Sequence, residues 1–439
     1  MVKPLIEQYD NPDTLILISP YPKKGELYST GTSGVASYSK NIATHLSRRV
    51  IILADYEKSP SIYEEKNVLV VRCYKKSGFR MWFQLLKTIS SIKYAKKVLI
   101  QFDLALYHET ALAFILPFLA ILRFRGFKAF VNLHSIVRNV FRLGGHLGLK
   151  TNLVGSFKGT AMNLILAIFY WSVGFLSTKV IVAEQTLKNK LSLYVPLHKI
   201  TAIAHGVDEH LSPVSKQIAR RKLGLRPREF VVMFFGFVNW YKGADFFVDT
   251  YRKTKKLLTK KVSFIIAGGK SATLNKKKYY QNYYKRITYF IDKSKTMRMT
   301  GFVPQNKISL YFSAADLVVL PYRHYMAASG VTSLVFSYQV PFIISDELRE
   351  MFTSEDIKDA LNESDLKLKD VSFALNKEAC LTITRKVLRN GIKNKMRKLC
   401  FLLKEKRSWK NTAPKFDREI FAPSYVFTKS PALRYLPEG

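Results

Sequence analysis

The sequence predicts an α/β protein made of two doubly wound units facing each other across a cleft. Three observations carry this expectation. Short apolar runs alternate with longer helical patterns from end to end, the runs are near-continuous in Val, Ile and Leu, and the whole pattern restarts halfway along the chain. Continuous apolar strands, unlike alternating ones, suit parallel sheets covered on both faces. Strand, helix and strand in succession argue a doubly wound domain. A chain of 439 residues has room for two or three domains.

In the first unit, TLILISP (14–20) reads as a strand. A Gly/Ser/Thr loop (29–34) follows it, then a helical stretch over 35–47. RVIILADY, NVLVVRCY, VLIQFDL, AFVNLHS, KVIVAEQ and ITAIAHGVD supply further strands. Pro213 and polar neighbours near 209–215 suggest a linker. The second unit then runs through FVVMFFGF (230–237), a Gly turn, a helix from about Ala244, and the strands VSFIIAGG, MRMTGFV, DLVVLPY and PFIISD. The expected division is 1–210, 211–405, and a segment 406–439 comprising a final helix and a tail. Ligands of such folds bind outside the carboxyl ends of the strands, which makes a cleft between the units the expected site.

The charge narrows the partners. Lys and Arg number 71 against 32 Asp and Glu, a net +39, which favours anionic partners such as phosphorylated substrates, acidic membranes or nucleic acid. No nucleic-acid recognition module is visible and the basic clusters do not coincide with the cleft motifs, so specific nucleic-acid binding is not expected. Residues 74–97 hold seven Lys/Arg and no acid, with Phe79, Trp82 and Phe83 among them. They read either as a membrane-binding surface with Trp82 and Phe83 inserted, or as a solvated basic face over buried helices. The uncharged run 161–178 is at the short end of a membrane span and reads as a buried or membrane-grazing helix. Three dispersed cysteines, no CxxC or HExxH spacing and an acid- and proline-bearing N-terminus argue for a reducing compartment, no secretion and no metal.

Four features could carry chemistry. Gly236 ends a buried strand, and Lys242 lies in the following loop before a helix, where an ammonium can pair with phosphate or simply be solvated. Ser329, Gly330 and Val331 open a helix whose first amides suit an anion, although Ser-Gly is also an ordinary cap. Ser33-Gly34 opens a helix on the opposite wall; GTSG fits neither a dinucleotide fingerprint nor a P-loop. His134, at the end of the strand FVNLHS, points toward the same cleft or plays a structural part.

In order, the early Gly loop, LHS, HGVD, G(x)5KG, TGFVP, AADLVVLPY, SGV and a Pro-led strand resemble the large retaining glycosyltransferase family of GT-B fold, group 1, which includes many mannosyl- and glucosyltransferases. The resemblance runs from about residue 14 to Trp409, and RSWKNTA is similar to the family's late Ser-Trp motif, where the last helix crosses back to the first domain. It implies two Rossmann-like domains, the first binding an acceptor and the second a UDP- or GDP-linked sugar, with no metal and no further cofactor. It assigns Lys242 to the donor diphosphate and Gly330 and Val331 to amides that hold the phosphates. Gly34 falls at the glycine near donor and acceptor, His134 beside the transferred sugar, and Gly301, Phe302 and Val303 near the base. Gly236 and Ser329 complete the donor set.

The sequence also departs from the family. Phe237 stands where an arginine usually follows the glycine, and Met326 and Leu334 stand where paired glutamates would fall. The expected protein is therefore a peripheral, cytoplasmic hexosyltransferase at the inner membrane face, acting on a lipid-linked or polysaccharide acceptor. The rival is a non-catalytic protein of the same fold that binds glycan or membrane. An open cleft with a free Lys242 would favour the enzyme.

Overall fold

The computed structural model describes residues 2–422, apart from 28–33, 77–78, 105, 107–108, 150–151, 212, 255, 258–259, 272 and 389–390. Ser33 and most of the expected Gly/Ser/Thr loop therefore lie outside the described residues, as does 423–439 of the expected tail; Gly34 is described.

Two parallel sheets form the frame. The first contains β1 Leu15–Ile18, β2 Val50–Asp55, β3 Ser61–Glu65, β4 Val68–Tyr74, β5 Lys97–Phe102, β6 Lys128–Leu133, β7 Lys179–Val182 and β8 Ile200–Ala202. Their order is β3-β4-β2-β1-β5-β6-β7-β8, parallel except for β3 against β4. The second contains β9 Phe230–Phe235, β10 Lys256–Leu257, β11 Lys260–Ala267, β12 Met297–Met299, β13 Leu317–Leu320, β14 Phe342–Ser345 and β15 Ser372–Phe373. Here the order is β10-β11-β9-β13-β14-β15, with β12 also paired to β11, parallel except for β10 against β11. The central strands are buried along all but a terminal residue, as their apolar sequences require. Strand order reverses beside β1 and β5 in one sheet and beside β9 and β13 in the other. At such points the outgoing loops diverge and leave a crevice.

The sequence reading missed β3, β10 and β15. Two of these are two-residue strands, and the SIYEE of β3 is polar because it pairs on one side only. A further correction concerns Trp82. The Arg80–Ile89 helix turns Met81, Trp82, Leu85 and Ile89 inward, and the Trp82 ring lies 4.8 Å from that of Phe118. Trp82 is thus core and cannot enter a membrane, whereas Phe79 and Phe83 remain exposed. The 161–178 run belongs to the Leu153–Leu176 helix, long and apolar enough to cross a membrane by length and composition. One of its faces, including Tyr170, Val173 and Gly174, is nevertheless buried against the first unit.

The units join at a crossover. Val207 pairs with Ser408 as a parallel bridge, Val207 N donating to Arg407 O (2.7 Å) and Trp409 N to Val207 O (3.2 Å). The chain can approach this closely because residue 206 is glycine; a Cβ there would lie 2.3 Å from the Trp409 ring. The Trp409–Phe421 helix, capped by Ser408, then packs on the Val35–His45 helix of the first unit. Trp409, Ala413, Phe416 and Ile420 share a buried cluster with Leu15, Tyr38 and Ile42. Beside the bridge, buried Arg407 donates to Glu184 of the first unit (2.5 Å) and to Asp356 of the second (2.5 and 2.9 Å). Burial alone would release the Arg407 proton more easily. The two carboxylates outweigh it and hold the guanidinium charged.

Removing one member of a buried ionic group strands the others without compensation. Arg407→Ala is expected to cost about 3–5 kcal/mol of stability, read as a lowered thermal midpoint, and Arg407→Met with Glu184→Gln to recover part of it. A midpoint unchanged in Arg407→Ala would show that the junction does not depend on this pair.

Candidate active site

A cleft of about 410 Å³ opens where the carboxyl ends of the two sheets meet, lined by both units. On the wall of the second unit, β9 ends at Gly236, and the loop after it is tied back to the neighbouring strand end by Gly236 N to Ala267 O (3.0 Å) and Val238 N to Gly269 O (2.9 Å). Arg323 donates to Trp240 O (2.6 Å) and makes a two-pronged contact with Asp245 (2.7 and 2.8 Å). Gly243 closes the loop with φ 72°, and a Cβ there would fall 2.0 Å from Pro321 O. Only glycine fits, and this fixes the residue before it.

That residue is Lys242. Its Nζ stands 5.9 Å from the centroids of both the Tyr241 and Tyr322 rings, and 3.2 Å from where a Gly236 Cβ would be. Among the described residues it has no carboxylate partner. Loss of water around the ammonium lowers its pKa from the ordinary 10.5 to about 8.

Beside it the Gly330–Ser337 helix begins. Gly330 and Val331 line the cleft, so the first two amides and the positive end of the helix lie on Lys242's side of it, while Thr332 N and Ser333 N are paired with Ser329. Ser329 is the cap: its hydroxyl accepts from Thr332 N (3.4 Å) and shares a hydrogen bond with Tyr322 Oη (3.2 Å). It does not line the cleft. Gly301, at φ 74°, is likewise behind the wall and turns the chain so that Phe302 and Val303 face inward.

The first unit supplies Gly34, which leads into the Val35–His45 helix, and His134 at the end of β6. His134 Nε2 is 2.7 Å from Gln101 Oε1, a carbonyl that can only accept, so this nitrogen carries the proton and Nδ1 is left as an acceptor. Burial, with His205 nearby, pushes the His134 pKa down to about 3. His205 is pushed to about 4 chiefly by burial, and its Nδ1 lies 2.9 Å from Ser333 Oγ of the second unit. Tyr38 wedges between the two imidazoles, 4.8 and 5.0 Å from their centroids. The imidazoles are neutral at physiological pH, so Lys242 is the cation of this part of the cleft, whose wall also carries Asp103 and Asp208.

The structure thus brings together Gly34, His134, Gly236, Lys242, Phe302, Val303, Gly330 and Val331, and leaves Gly301 and Ser329 as supports. Tyr38, Asp103, His205, Asp208 and Trp409 also line the cleft and were missed as site residues. The HGVD run at the end of β8 was a signal for two of them, and Tyr38 lies one helical turn after Gly34. Phe237 and Leu334 contribute apolar surface to the cleft. Met326 instead packs on Val137, Val140 and Leu143 of the first unit. There Ile136 N donates to Met326 O (2.8 Å), and Ser135 bridges Ala327, closing one end of the cleft with backbone from both units. Histidines scattered in the sequence also converge elsewhere: His45 and His210 come together with Glu209, their ligand-type atoms within 4.8 Å, and none of the three lines the cleft.

Residues 215–348 match the model of the family described as Glycosyl transferases group 1. No curated protein matches the sequence. Among solved structures, sucrose-phosphate synthase from Thermosynechococcus elongatus is similar at TM-score 0.65 and 14% identity, over 93% of this chain and 98% of that one. WaaG, a glycosyltransferase involved in lipopolysaccharide biosynthesis, is similar at TM-score 0.61 and 11% identity, over 93% and 100%. Anabaena Alr3699/HepE, solved in complex with UDP-glucose, gives 0.61 and 13%, over 93% and 98%. The matched domain holds Gly236, Lys242 and the Gly330–Ser337 helix, and the two-sheet frame is that of the GT-B fold. The chain has the GT-B fold, and residues 215–348 of its second unit carry a glycosyltransferase group 1 domain.

Proposed function

We propose that the protein moves a hexose from a UDP- or GDP-linked sugar to a lipid-linked or polysaccharide acceptor, with retention and without a metal, as a peripheral protein at the inner membrane face. One observation carries the donor assignment: a desolvated lysine ammonium with no carboxylate partner among the described residues, beside an open helix N-terminus in a cleft of nucleotide-sugar size. The UDP and UDP-glucose complexes of the similar Anabaena protein support it.

The chemistry follows from charge. As the glycosidic bond to the diphosphate breaks and the acceptor oxygen bonds to the same carbon, negative charge grows on the phosphate oxygens, one of which takes the acceptor hydroxyl's proton. Lys242 and the amides of Gly330 and Val331 stabilise that charge at fixed positions. His134 is neutral and too weak a base to take a proton; its Nδ1 positions a sugar hydroxyl. Phe302 and Val303 face the base, and the ribose meets Leu334 rather than a carboxylate. The open cleft and free Lys242 favour catalysis over the non-catalytic alternative.

A calorimetric and thermal-shift panel of UDP, GDP, ADP and their sugars, run without and with a divalent metal, is expected to show one nucleotide stabilising the protein without metal. No response to any of them would overturn the donor assignment. Lys242→Ala is expected to lower kcat by roughly 10²–10³ while leaving the fold intact, and unchanged turnover would remove Lys242 from the mechanism. The affinity of the free protein for the diphosphate should also fall as pH rises through about 8. The neutral amine made above that pH no longer pairs with the anion, so binding weakens by up to about tenfold per unit. Calorimetry at pH 7 and 9 reads this, and His134, already neutral, adds no titration between them.

A further inference from the structure

From the exposed helices of the first unit we infer that one defined face of the protein lies on an anionic bilayer, with the Leu153–Leu176 helix embedded lengthwise in the lipid interface. This rests on the membrane part of the reading above and specifies its surface.

The helix carries the main observation. Leu153, Phe157, Leu164, Ile168, Trp171 and Phe175 are each more than half exposed, Leu153 at 90% and Phe157 at 77%. At 3.6 residues per turn these six fall within about 60° of one another, an apolar stripe running the length of a helix about 36 Å long. The opposite side, centred on Gly155, Gly159, Tyr170 and Val173, is buried against the first unit. Both sides of the helix are therefore apolar, and only one has protein to cover it. Its one charged residue, Lys158, flanks the stripe.

The patch continues on neighbouring helices. Arg123 of the Glu109–Phe124 helix donates to Phe175 O (2.7 Å) and stands 5.3 Å over the Phe175 ring; the next residue, Phe124, is 93% exposed. Farther along that helix the Phe114 ring lies 5.9 Å from Phe79, which meets Phe83 at 6.1 Å.

Charge selects the occupant. Along the sequence from 66 to 183, the stretch that contains these helices, 17 Lys/Arg stand against two acids, Asp103 and Glu109, with Arg72, Lys76 and Lys179 paired to Glu57, Asp55 and Glu419 outside it. A contact with a second copy or another soluble protein would gain from mixed charge. An apolar stripe on a stretch with a strong excess of basic residues matches acyl chains beneath anionic head groups. The position also suits the chemistry. Asn163 Oδ1 accepts from Val140 N and Tyr170 Oη accepts from Val137 N (2.9 Å each), in the segment that follows His134 at the cleft. An acceptor held in the lipid under this helix enters the site past 137–143.

The test uses the full chain with vesicles of phosphatidylcholine, alone or with phosphatidylglycerol. Flotation with the mixed vesicles, falling with salt, and a blue-shifted Trp171 emission are expected; Trp82 and Trp409 are buried and Trp240 is only partly exposed. Ile168→Ser with Trp171→Ser should reduce partition at least about tenfold and leave the nucleotide-induced thermal shift unchanged. Lys242→Ala should do the reverse. Equal flotation of the double variant, no binding by the native chain, or a dimer that the double variant abolishes would each overturn the face while leaving the donor site to its own assay.

Discussion

The parallel bridge between Val207 and Ser408 is the constraint on which the rest of the molecule depends. Two doubly wound sheets joined by one linker could adopt many relative orientations, and the site exists in only one of them. Here the chain passes between units twice, at 203–215 and again at 406–409, and the two passages are bonded to each other. Gly206 allows the indole of Trp409 to pack on the first passage, and Arg407 ties a carboxylate from each unit to the second. Because Trp409 and His205 both line the cleft, the same junction that holds the units together also forms part of the site wall.

The site divides its charge between its walls, with Lys242 on the second unit and Asp103 and Asp208 on the first. Desolvation acts on Lys242, His134 and His205 in one sense, away from the charged form, and the imidazoles respond by becoming neutral. Lys242 yields only partly, because its ordinary value is far higher. What remains on the second unit's wall is a cation in a poorly solvated place, next to a helix dipole of the same sign. That arrangement is costly without an anion and favourable with one. Met326 and Leu334 add no charge here, and Met326 makes an apolar contact with the other unit.

Much of this was legible in the sequence because the signals were local. Apolar runs such as FVVMFF and KVIV marked the buried strands, Lys242-Gly243 marked a loop entering a helix, and Ser329-Gly330 marked a cap. What escaped depended on distant partners. Nothing local distinguishes Trp82, turned into the core, from Trp171, turned out of it; only the register of each helix against its neighbours decides. Ser329 read as a donor contact because a cap and an anion site share the same residues, and the Tyr322 hydroxyl that holds it inward lies seven residues away. His205 joins the site through Ser333, which is 128 residues further along.

The crossing helix also bears on the order in which the molecule can be completed. Trp409, Phe416 and Ile420 fill a groove over Leu15, Tyr38 and Ile42, residues made nearly four hundred positions earlier. At ribosomal rates of about 5–20 residues per second, that groove waits roughly 20–80 s for its filling. During synthesis the first unit is thus a sheet with an open hydrophobic trench, next to helices that already expose an apolar stripe. The nascent chain needs cover at two places, and the mature fold closes only one of them.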